Sequence, residues 1–117
     1  MEDHKKQGRY NRITTQIAQL IDNNNGIIAH MATINAVLYH KMPDFFWCGF
    51  YLLKENELIV GPYQGPVACQ KLKQNTGVCW EGIDTQKTIV VPDVEQFPGH
   101  IACDARSKSE IVIPVII

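Results

Sequence analysis

Two helical stripes come before anything that reads as a strand, and that order restricts the chain to a mixed fold with its helices leading. Ile13, Ile17, Leu20 and Ile21 recur at i, i+4, i+7 and i+8. This spacing lays one apolar face along an amphipathic helix, predicted over residues 10 to 22. Asn23-Asn24-Asn25-Gly26 ends it, because Asn and Gly tolerate the backbone that closes a helix. Ile27, Met31, Ile34 and Leu38 make a second stripe and predict a helix that closes before Pro43.

Strands and loops fill the remainder. Residues 46 to 54 are rich in aromatic and apolar residues with no breaker except Gly49, which predicts a strand covered on both faces. Glu55-Asn56 is its turn and residues 57 to 60 a short hairpin partner. Gly61-Pro62 and Gly65-Pro66 are expected to break the chain before a loop that carries Cys69. Residues 71 to 73 predict a brief edge strand, 77 to 86 a short helix beginning near Cys79, and 88 to 91 a strand. Residues 92 to 108 predict a long loop and 110 to 117 a last strand. No turn follows that apolar run, so its unpaired edge makes a homodimer or an exchanged strand the expectation.

Composition enters mainly as exclusion. A chain of 117 residues, 45% hydrophobic and with a net charge of -1, can build one core in one domain. Lys5, Lys6, Arg9 and Arg12 gather near the N-terminus with Glu2 and Asp3 among them, and no dense basic stripe makes a case for nucleic acid. No apolar run approaches the roughly 20 residues of a membrane helix, and no apolar region marks a secretory signal. A cytoplasmic location is expected, where standing structural disulfides are unusual. The cysteines then serve packing, metal binding or redox chemistry.

Cys69, Cys79 and Cys103 are spaced x9 and x23, and Cys103 sits in Phe97-Pro-Gly-His-Ile-Ala-Cys103-Asp104. His100 and Arg106 favour a thiolate at Cys103 while Asp104 opposes it, which describes a moderately activated thiol. Cys69 lies in a breaker-rich loop that can approach another loop without disturbing a sheet or helix. Cys79, near a helix N-terminus, is expected to have its thiol pKa lowered by the helix dipole. Cys48, inside the apolar strand, reads as inert packing. A zinc site from Cys69, Cys79, Cys103 and His100 is disfavoured, since structural zinc takes closely paired ligands and only His100 and Cys103 are close. A Cys-His hydrolase has only sequence adjacency behind it.

A second constellation lies in the strand. With a side-chain period of two, Trp47, Gly49 and Tyr51 share a face, two aromatic walls around a position with no side chain. This pattern fits an apolar slot, but by itself it favours two core-filling rings with Gly49 admitting a close helix. Glu110 opens an apolar strand, as either a solvated strand end or a buried group facing a ligand.

Taken together, Trp47-Cys-Gly-Phe-Tyr51, Gly61-Pro-Tyr-Gln-Gly65, Ala68-Cys69, Gly77-Val-Cys79, Phe97-Pro-Gly-His-Ile-Ala-Cys103-Asp104 and Ser109-Glu110-Ile-Val-Ile-Pro114 resemble the GAF-domain free methionine-(R)-sulfoxide reductases over nearly the whole chain. The resemblance implies an α+β GAF domain, residues 1–117, with an antiparallel sheet flanked by helices. It implies that Cys103 attacks the sulfoxide sulfur, releases methionine and becomes a sulfenic acid. Cys69 then resolves it as a disulfide that thioredoxin reduces, with NADPH behind thioredoxin and no bound cofactor or metal. Cys79 is implied as a third thiol supporting resolution or exchange. Glu110 and Asp104 are implied at the substrate, Glu110 assisting protonation of the sulfoxide oxygen, and Trp47 and Tyr51 as pocket walls.

Two features depart from the family. Its members continue into a hairpin, a strand with an Asp-x-Asp pair and a closing helix. The 117-residue form, lacking that C-terminal strand and helix, is therefore expected to show weak or absent activity. Trp80-Glu81 also stands where the family has a small residue, usually Gly. Two rival readings are a non-catalytic GAF sensor of a small molecule and a cysteine redox or metal switch.

Overall fold

The computed structural model describes residues 2–98 and 107–117, and its elements are helices and antiparallel strands, an α+β arrangement. The chain divides into two compact units, one running to Phe50 and adding Gly61–Pro66, the other holding Tyr51–Val60 and Val67–Ile117. Among the described residues no helix is long and apolar enough to cross a membrane.

The first unit is built on helices α1, Asp3–Leu20, and α2, Ile27–Lys41. α1 begins well before residue 10, because Asp3 in the first turn suits the helix dipole and the Lys and Gln residues that follow are good helix formers. Ile13, Val37 and Met42 form the core, with Ile17, Leu38 and Phe45 packed against it. The stripes are only partly buried: Leu20 is 54% and Ile27 50% exposed, whereas Met31 is buried. Arg9 Nη1 donates to the Lys41 carbonyl at 3.0 Å, satisfying one of the carbonyls left open at the end of α2. Between the helices Asp22 accepts from the Asn24 amide at 2.9 Å, and Gly26 takes φ +86°.

Strands β1, Cys48–Lys54, and β2, Glu57–Gln64, meet at Glu55-Asn56, both with positive φ (49° and 65°), as a two-residue hairpin turn requires. β1 is not covered on both faces: its residues are half-buried as far as Leu52, and Leu53 is 50% exposed. β2 is longer than expected and runs through Gly61-Pro62. The third strand, β3, Lys71–Leu72, pairs antiparallel with β2 only at Leu58↔Leu72 and Ile59↔Lys71. Pro62 therefore lies beyond that register, where its missing N–H costs no ladder bond to β3.

The second unit centres on α3, Gly77–Thr85, and a two-stranded antiparallel sheet of β4, Ile89–Val91, and β5, Glu110–Val112. The register is Ile89↔Val112, Val90↔Ile111 and Val91↔Glu110. The expected strand over residues 110 to 117 thus ends at Val112. Val78, Val91 and Val94 make the core with Ile89, Phe97 and Val112 around it. The expected loop after residue 91 contains a 3-10 turn, Val94–Gln96, whose entry is fixed by the Asp93 carboxylate accepting from the Glu95 amide at 3.0 Å.

Candidate active site

Trp47 stands one residue ahead of β1, so the strand's alternation begins at Cys48 and does not itself place the indole. What places it is Tyr63 of β2: the two rings stack with centroids 5.4 Å apart and planes at 23°. Gly49 is obligatory there, since a Cβ would lie 2.6 Å from Trp47 Cη2 and would collide with Tyr63 Cβ. This is the close approach that a glycine in a strand signals, made by an aromatic ring and not by a helix.

Neither Asn35 nor Tyr63 figures among the sequence-based site residues, and both matter. Asn35 is 1% exposed on the apolar side of α2. Its amide donates to the Pro62 carbonyl at 2.6 Å, and its Oδ1 accepts from Cys48 Sγ at 3.6 Å. The signal was in the stripe, because position 35 follows Met31 by four residues, where a polar side chain must find partners. Burial pushes the Cys48 thiol pKa up, in keeping with an unreactive packing role.

In the second unit Tyr51 of β1 donates its hydroxyl proton to the Cys69 carbonyl at 2.6 Å. An aromatic side chain expected at the pocket thus anchors the backbone of the expected resolving cysteine. Cys69 is half-buried and disulfide-bonded, while Cys48 and Cys79 are free thiols.

Cys79 overturns its expectation. It is the third residue of α3, near the positive end of the helix dipole, yet its pKa is pushed up from 9.0 to about 11. Burial is the larger cause and the negative charge of Glu110 the smaller, and together they outweigh the dipole of a nine-residue helix. Glu110 is half-buried and opens β5 opposite Val91, so α3 and β5 bring these two site residues into electrostatic reach. Gly82 permits that packing, a Cβ there standing 3.1 Å from Val112 Cγ1. Trp80, flagged as a departure, is 3% exposed and belongs to the interior of this unit.

Cys103 and Asp104 lie outside the described residues, as do His100 and Arg106. Among the described residues no three His, Cys, Asp or Glu side chains gather as metal ligands.

No protein-family model matches the chain. It is 47% identical over 111 residues to GAF domain-containing protein A of Dictyostelium discoideum, covering 94% of this chain and 70% of that protein. It is 40% identical over 98 residues to the free methionine-R-sulfoxide reductase of Escherichia coli, covering 84% of this chain and 59% of that enzyme. Among solved structures, the reduced form of the Staphylococcus aureus fRMsr superposes with a TM-score of 0.86 at 46% identity, over 92% of this chain and 70% of that one. At these identities, and with the fold matched over nearly its whole length, the chain belongs to the GAF-domain free methionine-R-sulfoxide reductase family.

Proposed function

We propose that this protein reduces free methionine-(R)-sulfoxide to methionine through cysteine chemistry and is recharged in the cytoplasm by thioredoxin. Besides family membership, the observation that carries the reading is the 2.6 Å bond from the Tyr51 hydroxyl to the Cys69 carbonyl, which holds the resolving cysteine beside an aromatic residue suited to the substrate.

The Cys103 sulfur attacks the sulfoxide sulfur, the oxygen passes to Cys103 as a sulfenic acid, and methionine leaves. Glu110 supplies the proton the oxygen needs, and Glu110 and Asp104 are assigned to substrate binding. Cys69 attacks the sulfenic sulfur, forming a Cys69–Cys103 disulfide and releasing water. A thioredoxin dithiol then reduces that bond and is itself oxidised, NADPH being the eventual electron source. A soft thiolate suits the sulfur centre, and the flat faces of Trp47 and Tyr51 suit the methyl and thioether.

Of the two candidate resolvers, the high pKa counts against Cys79. At neutral pH it is a thiol and a poor nucleophile, so resolution is assigned to Cys69. The reduced protein should be treated with free methionine-(R)-sulfoxide, the methionine released measured and the oxidised chain mapped by peptide mass analysis. One methionine per chain and a Cys69–Cys103 bond are expected. Binding without methionine release would instead mark a sensor, and a bond through Cys79 would overturn the assignment of resolver.

A further inference from the structure

The indole of Trp47 rests on two positions that have no side chain. A Cβ at Gly49 would stand 2.6 Å from Cη2 and 2.9 Å from Cζ2, both in the six-membered ring. A Cβ at Gly65, whose φ is +120°, would stand 3.2 Å from Cδ1 of the five-membered ring and 2.7 Å from the Phe46 carbonyl oxygen. Backbone thus approaches the plate at both ends, and Tyr63 lies nearly parallel to it at a centroid distance of 5.4 Å. Asn35 fixes the neighbouring residue of β2 by donating to the Pro62 carbonyl at 2.6 Å, which holds the strand that presents the phenol.

We propose that Tyr63 is a positioning residue for substrate selection: stacked on Trp47 across Gly49 and Gly65, it fixes the plane of the indole that receives the methyl and sulfur of the sulfoxide. The proposal rests on the reading of Trp47 as a pocket wall. A free indole would lose rotamer freedom each time substrate bound, and a pre-stacked one has already lost it. Methyl and thioether contacts with an aromatic ring also depend on where its face and edge lie. Tyr63 acts through Trp47 and not on the reacting atoms, so its loss falls on KM and leaves kcat nearly alone.

The test replaces Tyr63 by Leu and by Phe, with Trp80→Phe as background so that Trp47 is the sole source of the tryptophan bands in near-ultraviolet circular dichroism and fluorescence. Tyr63→Leu is expected to weaken the Trp47 dichroism and to raise KM for free methionine-(R)-sulfoxide roughly 3- to 10-fold, the scale of one aromatic pair, with kcat within about twofold. Tyr63→Phe keeps the stack and should restore both signals. A folded Tyr63→Leu protein with unchanged Trp47 dichroism and KM would overturn the proposal, as would a Phe variant no better than Leu. Should the Leu variant not fold, the Trp80→Phe protein suffices: weak, motionally averaged Trp47 dichroism in its folded state would show that the indole is not held. Failure of the parent chain to reduce the sulfoxide would sink the reductase reading, while the dichroism would still decide whether Tyr63 orders Trp47.

Discussion

Cys48 in the first unit and Cys79 in the second are both free thiols whose pKa burial raises, yet their surroundings differ in kind. Cys48 donates to a neutral amide, Asn35, that is itself tied to the Pro62 carbonyl, in a neighbourhood where Trp47 and Tyr63 are stacked over glycines. Cys79 faces the carboxylate Glu110, in a unit where Tyr51 anchors the backbone of Cys69. The first unit holds shape with neutral, directional contacts. In the second, burial and, less strongly, the charge of Glu110 hold the Cys79 thiol protonated. On the function proposed above, the first unit contributes the Trp47 wall and the second the reacting cysteines, and each can be attacked alone.

The largest effect belongs to the chemical half. On the mechanism proposed above, Cys103→Ser abolishes methionine formation, whereas Cys69→Ser still releases one methionine per chain and stalls as a sulfenic acid that a dimedone-type reagent traps. Sustained thioredoxin-dependent turnover by the Cys69→Ser protein would move resolution elsewhere. The counterpart in the shape-holding half is Gly49→Ala, which drives a methyl group into Tyr63 and the Trp47 ring. A loss of about 3 kcal/mol in urea unfolding is expected, with Trp47 dichroism reduced in whatever folds. A stability change within experimental error would mean that the stack relaxes freely.

Burial at Cys79 makes a sharper, pH-dependent prediction. With a folded pKa near 11 against 9.0 for an ordinary thiol, alkylation of Cys79 at pH 8 should run about a hundredfold slower than that of an unfolded cysteine and rise tenfold per pH unit until about pH 11. The sign for stability follows from the same shift. Below pH 9 both states keep the proton, and between 9 and 11 the unfolded chain loses it while the folded chain retains it, so unfolding becomes easier as pH rises through that window. Glu110→Gln removes the smaller cause and should bring the onset of alkylation to lower pH, without restoring an ordinary thiol. Rapid alkylation of Cys79 in the folded parent at pH 8 would contradict the burial assigned to it.

The legible parts of the chain were those whose signal is local. α2, the Glu55-Asn56 turn and the short helix over Gly77–Thr85 could be read from period and breakers alone. The first turns of α1 could not, because residues 3 to 9 are polar all round and show no helical period. Pro62 read as a breaker because it lacks an N–H, and β2 runs through it because the bonds to the β3 side end at Val60, a tertiary fact. Cys79 misled for the same reason: the dipole is a property of its own helix, but the burial that outweighs it, and the smaller opposing charge of Glu110 on β5, are tertiary. Trp47 and Tyr51 were singled out by their spacing and given the role of pocket walls by the resemblance, while Tyr63, which stacks on Trp47, becomes visible only when β2 extends past Gly61-Pro62.

Asn35 and Trp80 close the comparison with a contrast between a satisfied and an unsatisfied buried group. Asn35→Ala strips the Pro62 carbonyl and Cys48 of their partner and should cost about 2 kcal/mol, read from denaturant unfolding, with Asn35→Leu no better because the carbonyl stays unpaired. Trp80 is buried to the same degree, but its Nε1–H has no hydrogen-bond partner among the described residues. Trp80→Phe removes that orphan donor, which favours the variant, and shrinks the ring, which opposes it. The two nearly cancel, so the expected change is within about 1 kcal/mol of zero, the smallest effect here and opposite in character to that at Asn35. A loss above about 3 kcal/mol on Trp80→Phe would show that the indole N–H is engaged after all, and that the second unit, like the first, depends on a directional buried contact.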